Sequence, residues 1–576
     1  MENKFERQDA IIATFDAEVG LCGVDVDNPH AYHTKIKKGR GHAYVTNAAN
    51  APLLLKGGRE KDIEIAKIII KKVIEGQCTT PGDTYGLWPY YYEESLEEMD
   101  MPDWNMADFN GIQLFSCMIE YGDCLDNVFR AMILESVRAA CRCIINRDVH
   151  IGYTNVAIMD IFLTIAFGER FDEEILAFGL DKLRRLHHRI VEVKGYYDEY
   201  NSPTYSVVLV GELGRMLKYI KNEDALVKIN ELNNLAWKMI ALHYHPGTGQ
   251  WAGPQVRQYT RFITEKSRAY FEAACRNKIK LTDEVCESGD CVARCPEEYI
   301  PLFTDKNKSC DQILPMISND NLTEICCIRP NYTLGTFNAG MAWNQRRNML
   351  GYFGDKKETY CLWQRVLHDG YDYCSAFMQT VQKGSSALTM NMFYMQGGDT
   401  HMSLDMVENG TIRAKDMRVS YMFETNAEGA LDKIGIEDNI EKDGTCRLDV
   451  AGQIVEIGFV AAEFDDFKPY MEIRKEKDFL SVDIVLYSGE EKELNFNEIK
   501  SAYSVSYITI NNDNFEKPVC SVENEKIAAE WNVEGGNLKM LGTANPNKIN
   551  WINYRIVGEY SSYIDGKLLE VDRREE

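Results

Sequence analysis

Tyr259 closes the segment Trp251-Ala-Gly-Pro-Gln-Val-Arg-Gln-Tyr259 and has Arg257 and Arg261 on either side. Nearby cations favour a phenolate, so this tyrosine is a candidate for taking up and returning a proton. A second polar, aromatic segment lies upstream. Tyr196-Tyr-Asp-Glu-Tyr-Asn-Ser-Pro-Thr-Tyr205 offers Glu199 as an acid, Asn201 as a neutral hydrogen-bonding group and Tyr205 as a binding residue. The loop that leads to Tyr259 also carries His245 and Trp251, where solvated Ser, Lys or Glu would be the default. Such a mixture of Tyr, Trp, His, Asn and Arg suits saccharides, because aromatic faces stack on pyranose rings while short polar groups hold hydroxyls.

These segments are the two mouths of a helical hairpin. Ser202 followed by Pro203 reads as an N-cap with proline at the first helical position. Val207, Val208, Val210, Leu213, Met216 and Leu217 then recur at helical spacing. A second helix is expected from Asp224 to His245, with Leu226, Ile229, Leu232, Leu235, Trp237, Ile240 and Leu242 as its apolar set and Pro246-Gly247 as its stop. Helices are also expected from Lys61 to Gly76, Ala107 to Tyr121, Leu125 to Ile145, Tyr153 to Gly168 and Asp172 to Val193. Residues 1–55 show no clear rhythm.

The connectors alternate in character. Those after Tyr121, Phe167 and Ile220 are short and charged, whereas Thr79–Asn110, Asn146–Asn155, Tyr196–Tyr205 and His243–Tyr259 are rich in Trp, Tyr, His, Asn and Arg. Sequential helices with short loops pack as antiparallel neighbours, so every second connector shares one end. That end would carry the site, and it adds Trp88, Trp104, His150 and Asn155 to the binding candidates.

From Tyr332, and clearly from Ile412, the apolar period changes to two: Arg418-Val-Ser-Tyr-Met-Phe, Ile454-Val-Glu-Ile-Gly-Phe-Val and Phe479-Leu-Ser-Val-Asp-Ile-Val-Leu-Tyr are strand-like, with Gly, Asn and Asp turns between. A chain of 576 residues needs more than one core. The expected division is an α-helical domain over 1–330, with an N-terminal arm and a long loop at 281–330, followed by an antiparallel β-sandwich over 331–576.

Net charge is −25, which argues against nucleic acid or an anionic membrane surface as partner, while a polyanionic substrate would require a locally basic cleft. No GxGxxG or P-loop supports nucleotide chemistry, and no stretch approaches the roughly 18 apolar residues of a membrane span. Seventeen cysteines, an odd number scattered largely through apolar segments, suit free thiols in a reducing compartment, hence the cytoplasm. No cofactor is expected. Cys291-Val-Ala-Arg-Cys295 has zinc-like spacing, but Cys286 and Cys310 complete it untidily, and scattered thiols are the preferred reading.

Helical hairpins followed by an antiparallel sandwich resemble the polysaccharide lyases of the heparinase II/III and alginate lyase type. In these an Asn, a Tyr and a later His act in that chain order, and Asn201, Tyr259 and His401 of Gly397-Gly-Asp-Thr-His-Met-Ser follow it here, with Ser202 after the Asn. The resemblance implies an α/α toroid and β-elimination on a uronate-containing oligo- or polysaccharide. Asn201, helped by Arg257 or His150, would neutralise the uronate carboxylate, Tyr259 would remove the C5 proton, and His401 or His245 would serve the leaving oxygen.

Two alternatives stand beside it. A toroidal glycoside hydrolase would pair Asp198 or Glu199 with Asp103, Asp108 or Asp160. A non-catalytic glycan-binding protein would need the aromatic loops but not Arg257-x-Tyr259.

Overall fold

The structure is a computed structural model that describes residues 5–29, 31–286, 291–316, 322–395, 397–398, 404–438, 440, 444–513, 515–552 and 555–569. Helices come first: α1 (Glu6–Ala13), α2 (Tyr44–Gly57), α3 (Glu60–Glu75), α4 (Met106–Tyr121), α5 (Asn127–Arg147), α6 (Thr154–Phe171), α7 (Glu173–His187), α8 (Tyr205–Tyr219), α9 (Glu223–His243) and α10 (Glu265–Ala274). Antiparallel sheets follow from Cys310 onward. The helix-then-sheet architecture is the one the two hydrophobic periods predict. The chain forms two compact units, Met1–His188 with Glu212–Glu231, and Arg189–Gly211 with Leu232–Glu576, so the break falls within α8 and α9 and not at residue 330.

In the first unit α2 pairs with α3, α4 with α5 and α6 with α7, and α4 also packs on both α2 and α6. The result is a two-layered array of hairpins, the arrangement from which an α/α toroid is built. Sequence explains the layering. α6 is buried on every side from Thr154 to Gly168, as an inner helix must be, whereas α3 buries only Asp62, Ala66, Ile69, Ile70 and Val73. Helix starts are capped by acids: Asp126 accepts from the amides of Val128 and Phe129, both at 3.0 Å, and Asp172 from Ile175. The aromatic stretch that follows α3 folds back into this unit, where Trp88 is fully buried and donates to the Val73 carbonyl at 2.6 Å. Gly86 makes that return feasible, because a Cβ there would lie 2.1 Å from the Ala139 carbonyl oxygen.

A buried ion pair joins α7 to α6. Lys182 of α7, fully buried, donates to Asp160 of α6 at 2.6 Å and to Asp148 at 2.9 Å. Asp108 of α4 is buried beside Asp160, and burial together with that neighbouring charge raises its pKa.

In the second unit a nine-stranded sheet runs in the order Tyr470–Lys475, Leu480–Asn495, Thr411–Thr425, Thr359–His368, Met349–Gly354, Tyr332–Phe337, Leu322–Arg329 and Cys310–Met316, with the short strand Tyr371–Asp372 on Thr359–His368. A seven-stranded sheet faces it across a core that includes Leu334, Phe353, Leu362, Val419, Phe423, Val482, Val455, Ile457 and Ile508. A five-stranded sheet then covers the other face of the seven-stranded one, through Phe377, Val381, Leu388, Met390, Val505, Ile527, Trp531 and Leu538. The expected antiparallel sandwich is thus present, with a third sheet on its outer face. The middle strands are buried on both faces, as along Ser386–Phe393.

The segment 281–330, expected as a long loop, holds the turn Glu297–Phe303 and two strands. Leu322–Arg329 is buried on both faces except at its end, so it lacks the alternation that marks a half-buried strand. The sheet therefore begins before residue 331. Residues of α9 and of the connectors around α8 and α9 join it: Met239, Tyr196, Tyr200 and Val256 share a core with Phe337 and Phe377, which places them with the sheets and not with the first unit.

Removing one partner of a buried ion pair strands the other, at a typical cost of about 3–5 kcal/mol. Lys182→Met is expected to lower the unfolding free energy by that order in chemical denaturation, and Asp160→Asn in the Lys182→Met background to recover part of it.

Candidate functional site

The candidate residues of the second unit gather at the start of α8 and in the loop that follows α9. Asn201 adopts the left-handed conformation (φ 50°) that ends the approach to α8. Its side chain is fully buried. The amide donates to the carbonyls of Ala252 at 2.8 Å and Pro254 at 3.0 Å and accepts from the Trp251 indole. Both donors and one acceptor direction of the Asn201 side chain are thereby used on the loop, which it positions.

Ser202 does what a cap should, accepting from the Tyr205 amide at 3.1 Å, and its hydroxyl also donates to the Arg257 carbonyl at 2.5 Å. The loop is further fixed by backbone bonds between Gln255 and Arg347 at 2.8 and 3.0 Å, and from Gln258 to Gln345 at 2.7 Å. Gly253 crosses a buried polar cluster. Glu324 accepts from Tyr200 and is 2.7 Å from His243 Nε2, while His243 Nδ1 lies 2.6 Å from the Met239 carbonyl. A Cβ at Gly253, whose φ is 85°, would lie 2.7 Å from Glu324 and 2.9 Å from both Asn201 and His243, so glycine is required there.

The scaffold brings three groups together. Arg257 Nη2 donates to the Tyr259 hydroxyl at 3.0 Å and reaches the Tyr205 hydroxyl at 3.4 Å, and the two phenol oxygens are 2.5 Å apart. Arg257 Nε donates to Gln345 at 3.1 Å, and its guanidinium lies between the rings of Tyr205 (5.2 Å) and Trp343 (4.9 Å). Tyr259 is 47% exposed, whereas Tyr205 and Arg257 are half-buried. Burial raises the Tyr205 pKa; Arg257 opposes that rise, while the bond to Tyr259 and the charge of Glu199 add to it. Tyr205 therefore keeps its proton. The arrangement can hold a proton on one phenol and offer the other, beside a cation, to a ligand.

Other expected residues fall elsewhere. Trp251 is buried, its ring edge-on to Phe271 at 5.8 Å and its N–H taken by Asn201, so it offers no stacking face. His245 is also buried, between the Thr248 hydroxyl and the Arg329 carbonyl, both at 2.8 Å, and burial lowers its pKa to about 4. It is a structural pin and no proton carrier at neutral pH. Asp198 forms a two-pronged pair with Arg189 at 2.9 and 3.1 Å. Glu199 is buried and bears electrostatically on Tyr205 and Arg257.

His150, Asn155, Trp88 and Trp104 belong to the first unit: His150 is exposed, Trp104 half-buried, Asn155 and Trp88 buried. Burial again decides against Trp88 as a sugar platform. Asp103, Asp108 and Asp160 are buried in the same unit, Asp160 in its pair with Lys182. His401 lies outside the described residues. The residues that sequence reading missed, His243, Glu324, Gln345 and Trp343, carry no local signal; only long-range pairing identifies them.

All seventeen cysteines are free thiols, eleven of them buried, and among the described residues no group of three or more His, Cys, Asp or Glu could hold a metal. No helix among them is long and apolar enough to cross a membrane.

A family model described as a domain of unknown function (DUF8769) matches residues 18–272, a stretch that contains Asn201, Tyr205, Arg257 and Tyr259. No curated protein matches the chain in sequence. Among solved structures it is similar to heparinase III, at 10% identity and a TM-score of 0.41 over 87% of this chain and 82% of that one. It is also similar to the Streptomyces coelicolor A3 chondroitin AC lyase in complex with chondroitin sulphate, at 8% identity and 0.41 over 94% and 93%, and to a mutant of that lyase at 7% and 0.40 over 87% and 84%. These are proteins of the class the sequence resembles. At such identities and TM-scores no residue role passes from them to this chain.

A histidine whose pKa is about 4 when folded and 6.5 when unfolded contributes stability that is present above pH 6.5 and lost as pH falls toward 4, here on the order of 3 kcal/mol. Thermal unfolding followed across that window is expected to show the loss, and His245→Gln to flatten it.

Proposed function

We propose that the protein is a carbohydrate lyase that cleaves uronate-containing oligo- or polysaccharides by β-elimination, with Tyr259 as the base. The observation that carries this reading is the contact of one guanidinium, Arg257, with two hydrogen-bonded phenols, of which Tyr259 is exposed and Tyr205 half-buried. The reading rests on this trio, not on likeness to any solved lyase.

β-Elimination needs a group that takes the C5 proton and a positive or hydrogen-bonding group that stabilises the enolate-like intermediate. Tyr259, as phenolate, is held by the Tyr205 hydroxyl and by Arg257. It takes the C5 proton, the electron pair forms the C4–C5 double bond, and the glycosidic oxygen leaves with a proton returned from Tyr259. Arg257 faces the carboxylate side of the reaction in place of Asn201, whose amide serves the loop. Tyr205 donates throughout and is a positioning residue. Trp343, half-buried with Arg257 over its ring, is the aromatic face nearest this chemistry in the proposal, a role first given to Trp251. No step is assigned to His401.

Incubation with a panel of uronate oligosaccharides is expected to raise the ultraviolet absorbance of a double bond conjugated to a carboxylate. Tyr259→Phe should lower kcat by at least about 10²–10⁴-fold, the usual worth of a group acting in proton transfer, and Tyr205→Phe, which removes only a hydrogen bond to it, should lower kcat by less. Sugar release with no absorbance would replace elimination by hydrolysis, and saturable binding without product would leave a glycan-binding protein.

A further inference from the structure

The segment that follows α10 winds back along that helix and brings two cysteines together. Cys275 is the residue that ends α10, and Cys295 comes at the far end of the returning segment. Both are fully buried free thiols. The Cys295 amide donates to the carbonyl of Ala274, the residue before Cys275, at 3.1 Å. A backbone bond of that kind leaves the two α-carbons about 5–7 Å apart, the span that a disulfide bridges. The side chains meet as well. The Cys295 thiol is hydrogen-bonded to that of Cys275, and this bond together with burial raises its pKa; the same sulfur lies 3.5 Å from the Pro296 carbonyl.

The rest of the segment is tied to the same helix. Glu272 accepts from the amides of Leu281 and Thr282, the latter at 2.6 Å, and Thr282 donates to Glu265 at 2.5 Å. The Ala293 amide donates to the Tyr270 hydroxyl at 3.1 Å and Arg294 to the Ala273 carbonyl at 2.7 Å, while Arg276 reaches the Cys295 carbonyl at 3.1 Å. Residues 276–286 and 291–295 therefore form a strap on α10. That helix in turn backs the site loop. Phe271 meets the Trp251 ring edge-on at 5.8 Å, Trp251 is the indole that donates to Asn201, and Tyr270 donates to the Val210 carbonyl of α8 at 2.9 Å.

We infer that Cys275 and Cys295 are a redox switch: two thiols under reducing conditions, and a disulfide that fastens the strap to α10 when a small-molecule disulfide is the oxidant. The thiolate of one cysteine attacks a sulfur of the oxidant, whose S–S bond breaks and releases one thiol. The second cysteine then attacks the mixed disulfide, the Cys275–Cys295 bond forms, and a second thiol leaves with the proton. Two protein thiols are oxidised and one disulfide is reduced to two thiols. Closing a loop of about 20 residues removes freedom from the open chain, so the closed form holds α10 more firmly, and with it the Trp251 anchor of the Tyr259 loop. Cys295, un-ionised and buried, is inert toward reagents while the strap is seated, so the switch is thrown when the strap opens locally. None of this depends on what Tyr259 does to a ligand.

The test holds the full chain at equilibrium in mixtures of reduced and oxidised glutathione with sub-denaturing urea, so that local opening admits the reagent. Free thiols are then alkylated and disulfides located by peptide mass spectrometry. One predominant link is expected, Cys275 to Cys295, and reduced glutathione should reverse it. With the link in place and the urea removed, amide hydrogen exchange at 291–295 is expected to slow at least about tenfold, and Cys295→Ser to show neither link nor slowing. If that variant fails to fold by circular dichroism, the same exchange is read on oxidised against reduced wild type. Thiols at 275 and 295 that stay open to alkylation in the oxidising mixture, or that pair with other cysteines, would overturn the switch. A link that leaves exchange unchanged would sink it equally, since the strap would be no firmer closed than open.

Discussion

The candidate site depends on the burial of one neutral amide. Asn201 sits in a left-handed turn with no exposed surface, and its side chain satisfies two carbonyls and one indole of the loop 251–254. Those groups would otherwise be buried without partners, at about 1–3 kcal/mol each. A charged group there would need a counter-ion and a smaller one would leave the carbonyls bare. Asparagine, which both donates and accepts and tolerates a positive φ, suits the position.

From that anchor the geometry propagates outward. With residues 251–254 fixed, Gly253 can pass directly over the Glu324–His243–Tyr200 cluster, and residues 255–258 can bond to the strand-connecting loop 345–347. The helix α8 begins where Ser202 both caps Tyr205 and holds the Arg257 carbonyl. Tyr205, Arg257 and Tyr259 thus meet because three separate backbone segments are tied together, not because they are adjacent in sequence. Rigid placement of this kind is what proton transfer between fixed groups requires.

The same ties bring opposite electrostatics into one unit. Glu324 and His243 form a buried hydrogen-bonded pair at 2.7 Å. Arg257, half-buried, is held instead by the Gln345 amide, the two phenols and the Trp343 ring. Composition allowed a polyanionic ligand only with a local cation, and Arg257 is the cation beside these phenols.

Periodicity determined the class of fold: the apolar spacing of α6 or α9 can be read locally, and so can the alternation of Phe479–Tyr487, because each depends on which face of one element is buried. The cap at Ser202 and the pairing of Arg257 with Tyr259 were legible for the same reason, being short-range. Burial on both faces was not. Leu322–Arg329 read as loop and the middle strands as half of a simple sandwich, since nothing local distinguishes a second covered face. Nor could residue type tell which aromatic and polar groups point outward. Trp88, Trp251, Asn201 and His245 have site-like chemistry, and packing turned all four inward, while Trp343, Gln345 and Glu324, far along the chain, were brought to the site by strand pairing. Sequence fixes what a side chain can do; only long-range contacts decide whether it faces a ligand or a carbonyl.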